Sequence, residues 1–208
     1  MCLLALAGCQ SVKPDPVIAT AADVASSDGG VAAQASEGSV ANVSIGDAIT
    51  LSLPKDPAYP GRYSVVQTLV ARHEGRTQAF QARLDLEPDH VSVVLLAPNG
   101  PRAMEIDWDR NGVRESRSRF APDWLQAQNV LADIFLVHWP YEDIVKALSP
   151  HGQVVEAEGV RQIFRDGDLI IEIQLDPVLD GKGREERVLT HLQRGYALQI
   201  FSDAQPTG

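Results

Sequence analysis

Residues Arg76 to Glu87 read R-T-Q-A-F-Q-A-R-L-D-L-E. Phe80, Ala82, Leu84 and Leu86 fall in one phase of a two-residue period, and Thr77, Gln81, Arg83, Asp85 and Glu87 in the other. Successive strand side chains point to opposite faces, so this segment is a strand with one face buried and one in water. Asp168 to Leu175 repeats the pattern, with Leu169, Ile171, Ile173 and Leu175 inward. Shorter runs predict strands at Ile49 to Leu53, Arg62 to His73, His90 to Leu96, Arg102 to Asp109, Gln153 to Glu158, Val160 to Arg165, Arg187 to Gln193 and Tyr196 to Phe201. Turn signals such as Glu74-Gly75, Asn111-Gly112 and Asp166-Gly167 separate them. Ten or so consecutive short strands imply an antiparallel meander rather than βαβ units.

One helical block interrupts the series. Pro122 to Val137 carries Trp124, Ala127, Val130, Leu131, Ile134, Phe135 and Val137 as a wide apolar stripe at helical spacing, and Pro140 ends it. A shorter helix resumes at Tyr141, with Ile144, Val145 and Leu148 spaced by three and four, and stops before Pro150. The expected fold class is mainly β (α+β): a large curved antiparallel sheet forming an incomplete barrel, with an inserted helical pair on its concave face. A sheet of that size curls or closes.

The N-terminal part has a different texture. Met1 to Gly8 is apolar and ends in small residues like the tail of an export signal, and Leu6-Ala7-Gly8-Cys9 resembles the bacterial lipobox, which makes Cys9 the expected acylated first residue. Gln10 to Gly46 holds 18 Ala, Ser or Gly among 37 positions and no aromatic residue. Such a stretch cannot build a core and reads as a tether with an r.m.s. span of about 35 Å. The organisation expected is a signal remnant over 1–8, a lipidated N-terminus and tether over 9–46, and a folded domain over 47–208. Gln10 and Ser11 lack the aspartate associated with inner-membrane retention in enteric lipoproteins, so the resemblance implies the outer membrane, facing the periplasm.

Composition narrows the function. Hydrophobic residues at 44% are too many for a disordered chain, and a net charge of −10 repels nucleic acid at long range. The two cysteines, Cys2 and Cys9, both precede the body, which therefore has no disulfide framework and no thiolate metal site. Asp107, Asp109, Asn111 and Gly112 match the opening of a calcium loop, but the twelfth position is Ser118 instead of a bidentate Glu. Asn111-Gly112 reads better as a type I′ hairpin turn. The five histidines lack zinc-site spacing, and no G-x-S-x-G elbow, P-loop or dinucleotide fingerprint occurs. No metal, cofactor or catalytic residue is expected. His138-Trp139-Pro140-Tyr141 stands out at the helix break, either as the rim of a pocket or as a staple between helices and sheet.

Several short strings resemble the LolA/LolB superfamily, whose members shuttle or receive lipid-bearing molecules in the Gram-negative periplasm. They are Tyr63 to Leu69, Phe80 to Leu86, Leu96 to Arg102 (L-A-P-N-G-P-R), Val130 to Pro140 (V-L-A-D-I-F-L-V-H-W-P) and Gly195 to Leu198, spread over residues 60–201. Their order is more closely similar to an uncharacterised LolB-like outer-membrane lipoprotein family associated with aryl polyene type gene clusters. The resemblance implies a half-barrel with an apolar cavity, a lipid or acylated cargo, and a LolA-like periplasmic carrier as partner. Pro98 to Pro101 does not match the exposed hydrophobic loop of LolB, so the implied role is lipid handling rather than lipoprotein insertion itself.

A physical argument points the same way. Helices of about four turns and two turns cannot cover ten one-sided strands, so long side chains or a ligand must fill the rest of the concave face. The candidate lining is Phe80, Leu84, Val93, Leu95, Met104, Trp108, Leu131, Phe135, Trp139, Ile171, Ile173 and Leu198. Periodicity does not distinguish a hollow interior from one packed solid. The function expected is a non-enzymatic lipoprotein that binds or transfers an acylated molecule; the alternatives are a hydrolase or thioesterase on acyl cargo and an assembly lipoprotein with a filled core.

Overall fold

The computed structural model describes residues 42–203. The expected signal remnant, Cys9 and most of the tether lie outside the described residues. Asn42–Gly46, read from the sequence as tether, is instead strand β1. It pairs antiparallel with β2 (Ile49–Ser52), and Val43, Ile45, Ile49 and Leu51 of this hairpin are buried. Four aliphatic residues in alternate positions mark it as a strand pair, a signal masked in the sequence by the small residues around it.

The main sheet follows the expected class: mainly β, antiparallel, large and unclosed. Strands β3 (Tyr63–His73), β4 (Arg76–Leu86), β5 (His90–Leu96), β6 (Arg102–Asp109) and β7 (Gly112–Arg117) run as a meander. Helices α1 (Ala127–His138) and α2 (Tyr141–Leu148) follow. The chain then returns through β8 (Gln153–Ala157), β9 (Val160–Arg165), β10 (Asp168–Gln174), the short β11 (Val178–Leu179), β12 (Arg184–His191) and β13 (Tyr196–Asp203). The order is β7-β6-β5-β4-β3-β13-β12-β10-β9-β8, with β11 beside β12. β13 on β3 joins the two meanders, and β7 and β8 remain as edges. β7 and β11 carry no alternation of apolar residues and were not expected from the sequence; β7 is held by pairing along the patterned β6, and β11 by pairing with Glu185 and Glu186 of β12.

The turns account for the register. Glu74-Gly75, Glu158-Gly159 and Asp166-Gly167 are two-residue loops in which both residues have positive φ, the type I′ geometry that matches strand twist. The β6–β7 turn corrects its sequence reading: only Gly112 has positive φ (113°), and Arg110 and Asn111 form the loop between paired Asp109 and Gly112. Asp109 accepts the Asn111 amide at 2.7 Å and meets Arg114 at 3.1 Å, so its carboxylate is committed to the turn. The first helix begins at Ala127, five residues later than its apolar stripe predicts, because residues 122–126 form turns.

The solid part of the core lies where α1, α2 and the β1–β2 hairpin meet β6, β9 and β10. Trp139 is its centre, stacked on Phe135 at 4.9 Å and Trp108 at 5.8 Å and edge-on to Tyr59 at 5.1 Å. Its indole N–H donates to the Pro57 carbonyl at 2.9 Å, which satisfies the polar tip that burial would otherwise penalise. Among the described residues no helix is long and apolar enough to cross a membrane.

An amphipathic cavity between the first helix and the sheet

A cavity of about 420 Å³ lies between α1 and strands β3, β4, β5 and β13. That volume is within the range of about 300–1,000 Å³ common to small-molecule sites. It exists because small residues stand where large ones would fill the gap: Ala71 on β3 and Ala82 on β4 both line it. Ala71 pairs with Leu198, and Ala82 with Gln67, so each small side chain leaves room above the sheet.

The expected lining splits in two. Phe80, Leu84, Val93, Leu95 and Leu198 line the cavity. Met104, Trp108, Leu131, Phe135, Trp139, Ile171 and Ile173 do not: each is at most 2% exposed and packed in the solid core. The hairpin, α2 and the aromatic stack around Trp139 cover that half of the concave face, and β1 is the part of this cover absent from the sequence expectation. The string His138-Trp139 takes both of its proposed roles, His138 lining the cavity while Trp139 staples the core.

Helix α1 divides the two regions. Leu131, Ala132, Phe135 and Leu136 turn into the core, while Val130, Ile134 and Val137 face the cavity. Gln126, Asn129, Asp133 and His138 share the cavity side at helical spacing, so the same face carries polar groups through an otherwise greasy wall. Gln126, Asn129 and Asp133 were not among the sequence candidates, although their i, i+3 and i+7 spacing was readable. The C-terminal end of α1 is fixed by Arg161 of β9, which donates to the Leu136 and Trp139 carbonyls and pairs with Glu156 at 2.9 Å. A cation at that end satisfies carbonyls that the helix leaves unpaired.

One polar group dominates the electrostatics. The Tyr196 hydroxyl donates to Asp133 at 2.7 Å. Burial pushes the Asp133 carboxyl up to about 7, and the hydrogen bond from Tyr196 and the charge of Arg194 only partly offset this. Burial, with Arg187 and Arg161 nearby, pushes His138 down to about 4, so its ring is neutral at physiological pH. Trp124, 43% exposed, lines the cavity and sits edge-on to Phe80 at 6.2 Å, which places an aromatic ring at the mouth.

A family model described as a protein of unknown function, DUF3261, matches residues 64–204. The chain belongs to this family. The DUF3261 region contains every residue that lines the cavity and both helices, while the β1–β2 hairpin that buttresses α1 and α2 lies before it. No curated protein matches the chain.

Proposed function

We propose that the protein is a lipid-anchored, periplasm-facing outer-membrane lipoprotein that binds or passes on an acylated molecule in this cavity. The supporting observation is the cavity itself: apolar side chains from β3, β4, β5, β13 and α1 surround a space that the described residues leave unfilled. Each buried methylene of an acyl chain contributes about 0.8 kcal/mol, so a dry groove holds such a chain without a dense set of hydrogen bonds. An unclosed antiparallel sheet with a helical pair also suits a relationship to the LolA/LolB superfamily, which this proposal includes along with a LolA-like carrier as partner. Acylation at Cys9 supplies the anchor.

A thioesterase or hydrolase reading needs a nucleophile in the same space. Among the described residues no Ser, Thr or Cys lines the cavity. The carrier reading is therefore preferred. Native mass spectrometry of the full chain with Cys9→Ser, purified without detergent, tests it. Co-purifying lipid is the expected result; a clean apo mass together with no binding of a fluorescent fatty acid would overturn the proposal. The anchor is tested separately, since Cys9→Ser should release the protein from the membrane fraction and continued sedimentation would remove that assignment.

A further inference from the structure

Arg194 lies in the four-residue turn between β12 and β13 and lines the cavity, where it is the only Arg or Lys among the described lining residues. Its guanidinium is held from two sides. It donates to the Asn129 side-chain oxygen on α1 at 3.3 Å and to the Ser44 carbonyl on β1. The backbone N–H of Arg194 also donates to His191 Nδ1 at 3.3 Å, which fixes the turn from behind. Both guanidinium partners are neutral, and among the described residues no carboxylate oxygen comes within 4 Å of it. The charge is therefore positioned but not cancelled.

An uncancelled guanidinium beside a low-dielectric wall attracts an anion more strongly than it would in water, and it offers a planar pair of donors suited to carboxylate or phosphate oxygens. Asn129 adds a second donor: its oxygen is used by Arg194, while its amide NH₂ has no partner among the described residues. The nearest competitor on α1, Asp133, is one turn further on, and its Oδ1 is occupied by the Tyr196 hydroxyl. Burial holds much of the Asp133 carboxyl in its protonated form near neutrality, which weakens its claim on Arg194. The net charge of −10 repels anions at long range, but salt screens exposed charges beyond about 8 Å, so the local cation decides what is held.

We infer that Arg194 makes the cavity selective for single-chain amphiphiles with an anionic head, a carboxylate or a phosphate monoester, over chains of equal length that end in an uncharged hydroxyl. The inference rests on the reading of the cavity as a lipid site and adds the charge of the ligand.

Calorimetric titration of the full chain with Cys9→Ser tests it, using myristate, tetradecyl phosphate, tetradecanol and inorganic phosphate as probes below micelle formation. Myristate or tetradecyl phosphate should bind about tenfold to a hundredfold more tightly than tetradecanol, the span of a charge-assisted hydrogen bond. The tighter of the two anions identifies the head group. Arg194→Gln, with its fold checked by urea unfolding, should bring the affinities of the anions and of tetradecanol to within about twofold of each other; Arg194→Lys should keep part of the preference. Tetradecanol binding the unsubstituted site as tightly as both anions, or a preference that survives Arg194→Gln, overturns the inference while the lipid reading stands. Inorganic phosphate binding as tightly as tetradecyl phosphate would show that the chain plays no part. If none of the three chains binds, the lipid reading itself fails.

Discussion

The Tyr196 hydroxyl and the Asp133 carboxyl, 2.7 Å apart, join strand β13 to helix α1 across the cavity. This contact places an acid in a site that resists its ionisation: burial raises the carboxyl from 3.8 to about 7 against the pull of the hydrogen bond and of Arg194. A group that stays protonated when folded but ionises when unfolded destabilises the fold as pH rises between those two values. This contribution should fall by up to about 1.4 kcal/mol per pH unit from pH ~4 to pH ~7 and stay level above that. Urea unfolding of Asp133→Asn across this range should lack the downward component. A pH dependence identical to that of the unsubstituted protein would show that Asp133 ionises normally.

The two buried histidines act with the opposite sign. His138 and His191 are both lowered to about 4, chiefly by burial, and the neighbouring arginines push in the same direction. An unfolded histidine takes up its proton near 6.5, so stability present above that value is lost as pH falls toward 4. Histidine ring resonances followed by NMR should show two of the five side chains titrating below pH ~5. Midpoints near 6.5 for His138 and His191 would contradict the burial of these rings.

Much of the sheet was legible because a two-residue period survives wherever one face is buried. Phe80, Leu84, Leu86, Ile171 and Ile173 all fall inward as their alternation requires. The split between hollow and solid was not legible, because Leu84 and Ile173 have the same periodicity and differ only in what lies opposite. Leu84 faces the space left by Ala71 and Ala82, whereas Ile173 belongs to the core that the hairpin and α2 help to cover. Strand β1 was missed for a related reason: Val43 and Ile45 are separated by Ser44 and preceded by a run of small residues, so composition hid a strand of only five residues. Arg194 and Asp133 carried no motif at all. Their meaning comes from the fold, which brings positions 65 and 63 residues apart from their partners into contact.

The distinction between hollow and solid can be measured with two alanines. Ala71 borders the cavity, and Ala132 is 2% exposed in the packed core of α1. Ala71→Leu should be tolerated within about 1 kcal/mol and should weaken binding of a fluorescent fatty acid by filling the space. Ala132→Leu should cost about 1–3 kcal/mol, because added methylenes in a close-packed interior force neighbours aside. Chemical denaturation of both variants decides the matter. Equal destabilisation by the two would mean that the space beside Ala71 is already occupied.

Arg161 is the other buried charge whose neighbours define its role. Only 3% exposed, it serves two carbonyls at the end of α1 and the Glu156 carboxylate together. Arg161→Met keeps the length of the stem but leaves those acceptors without their donor, at a cost of about 3 kcal/mol. The loss should appear in unfolding midpoint, together with faster amide exchange at residues 136–139, the last turn of the helix and the Trp139 that follows it. A variant as stable as the parent, with unchanged exchange there, would show that water takes over the capping.

The N-terminal hairpin is part of the packed core. Val43 and Ile45 are each 2% exposed, and burying an aliphatic side chain contributes about 1.5–3 kcal/mol, so β1 supplies about 3–6 kcal/mol through these two residues alone. Whole domains are stable by about 5–15 kcal/mol, so removal of β1 takes a large share of the total. A chain starting at Asn42 should unfold cooperatively, and one starting at Asp47 should unfold at much lower urea. Loss of β1 also removes the Ser44 carbonyl that helps to hold Arg194, so the shorter chain, even where it remains folded, should discriminate less between myristate and tetradecanol. Equal midpoints and equal discrimination for the two chains would show that the hairpin merely rests on the domain without supporting either its core or its cavity.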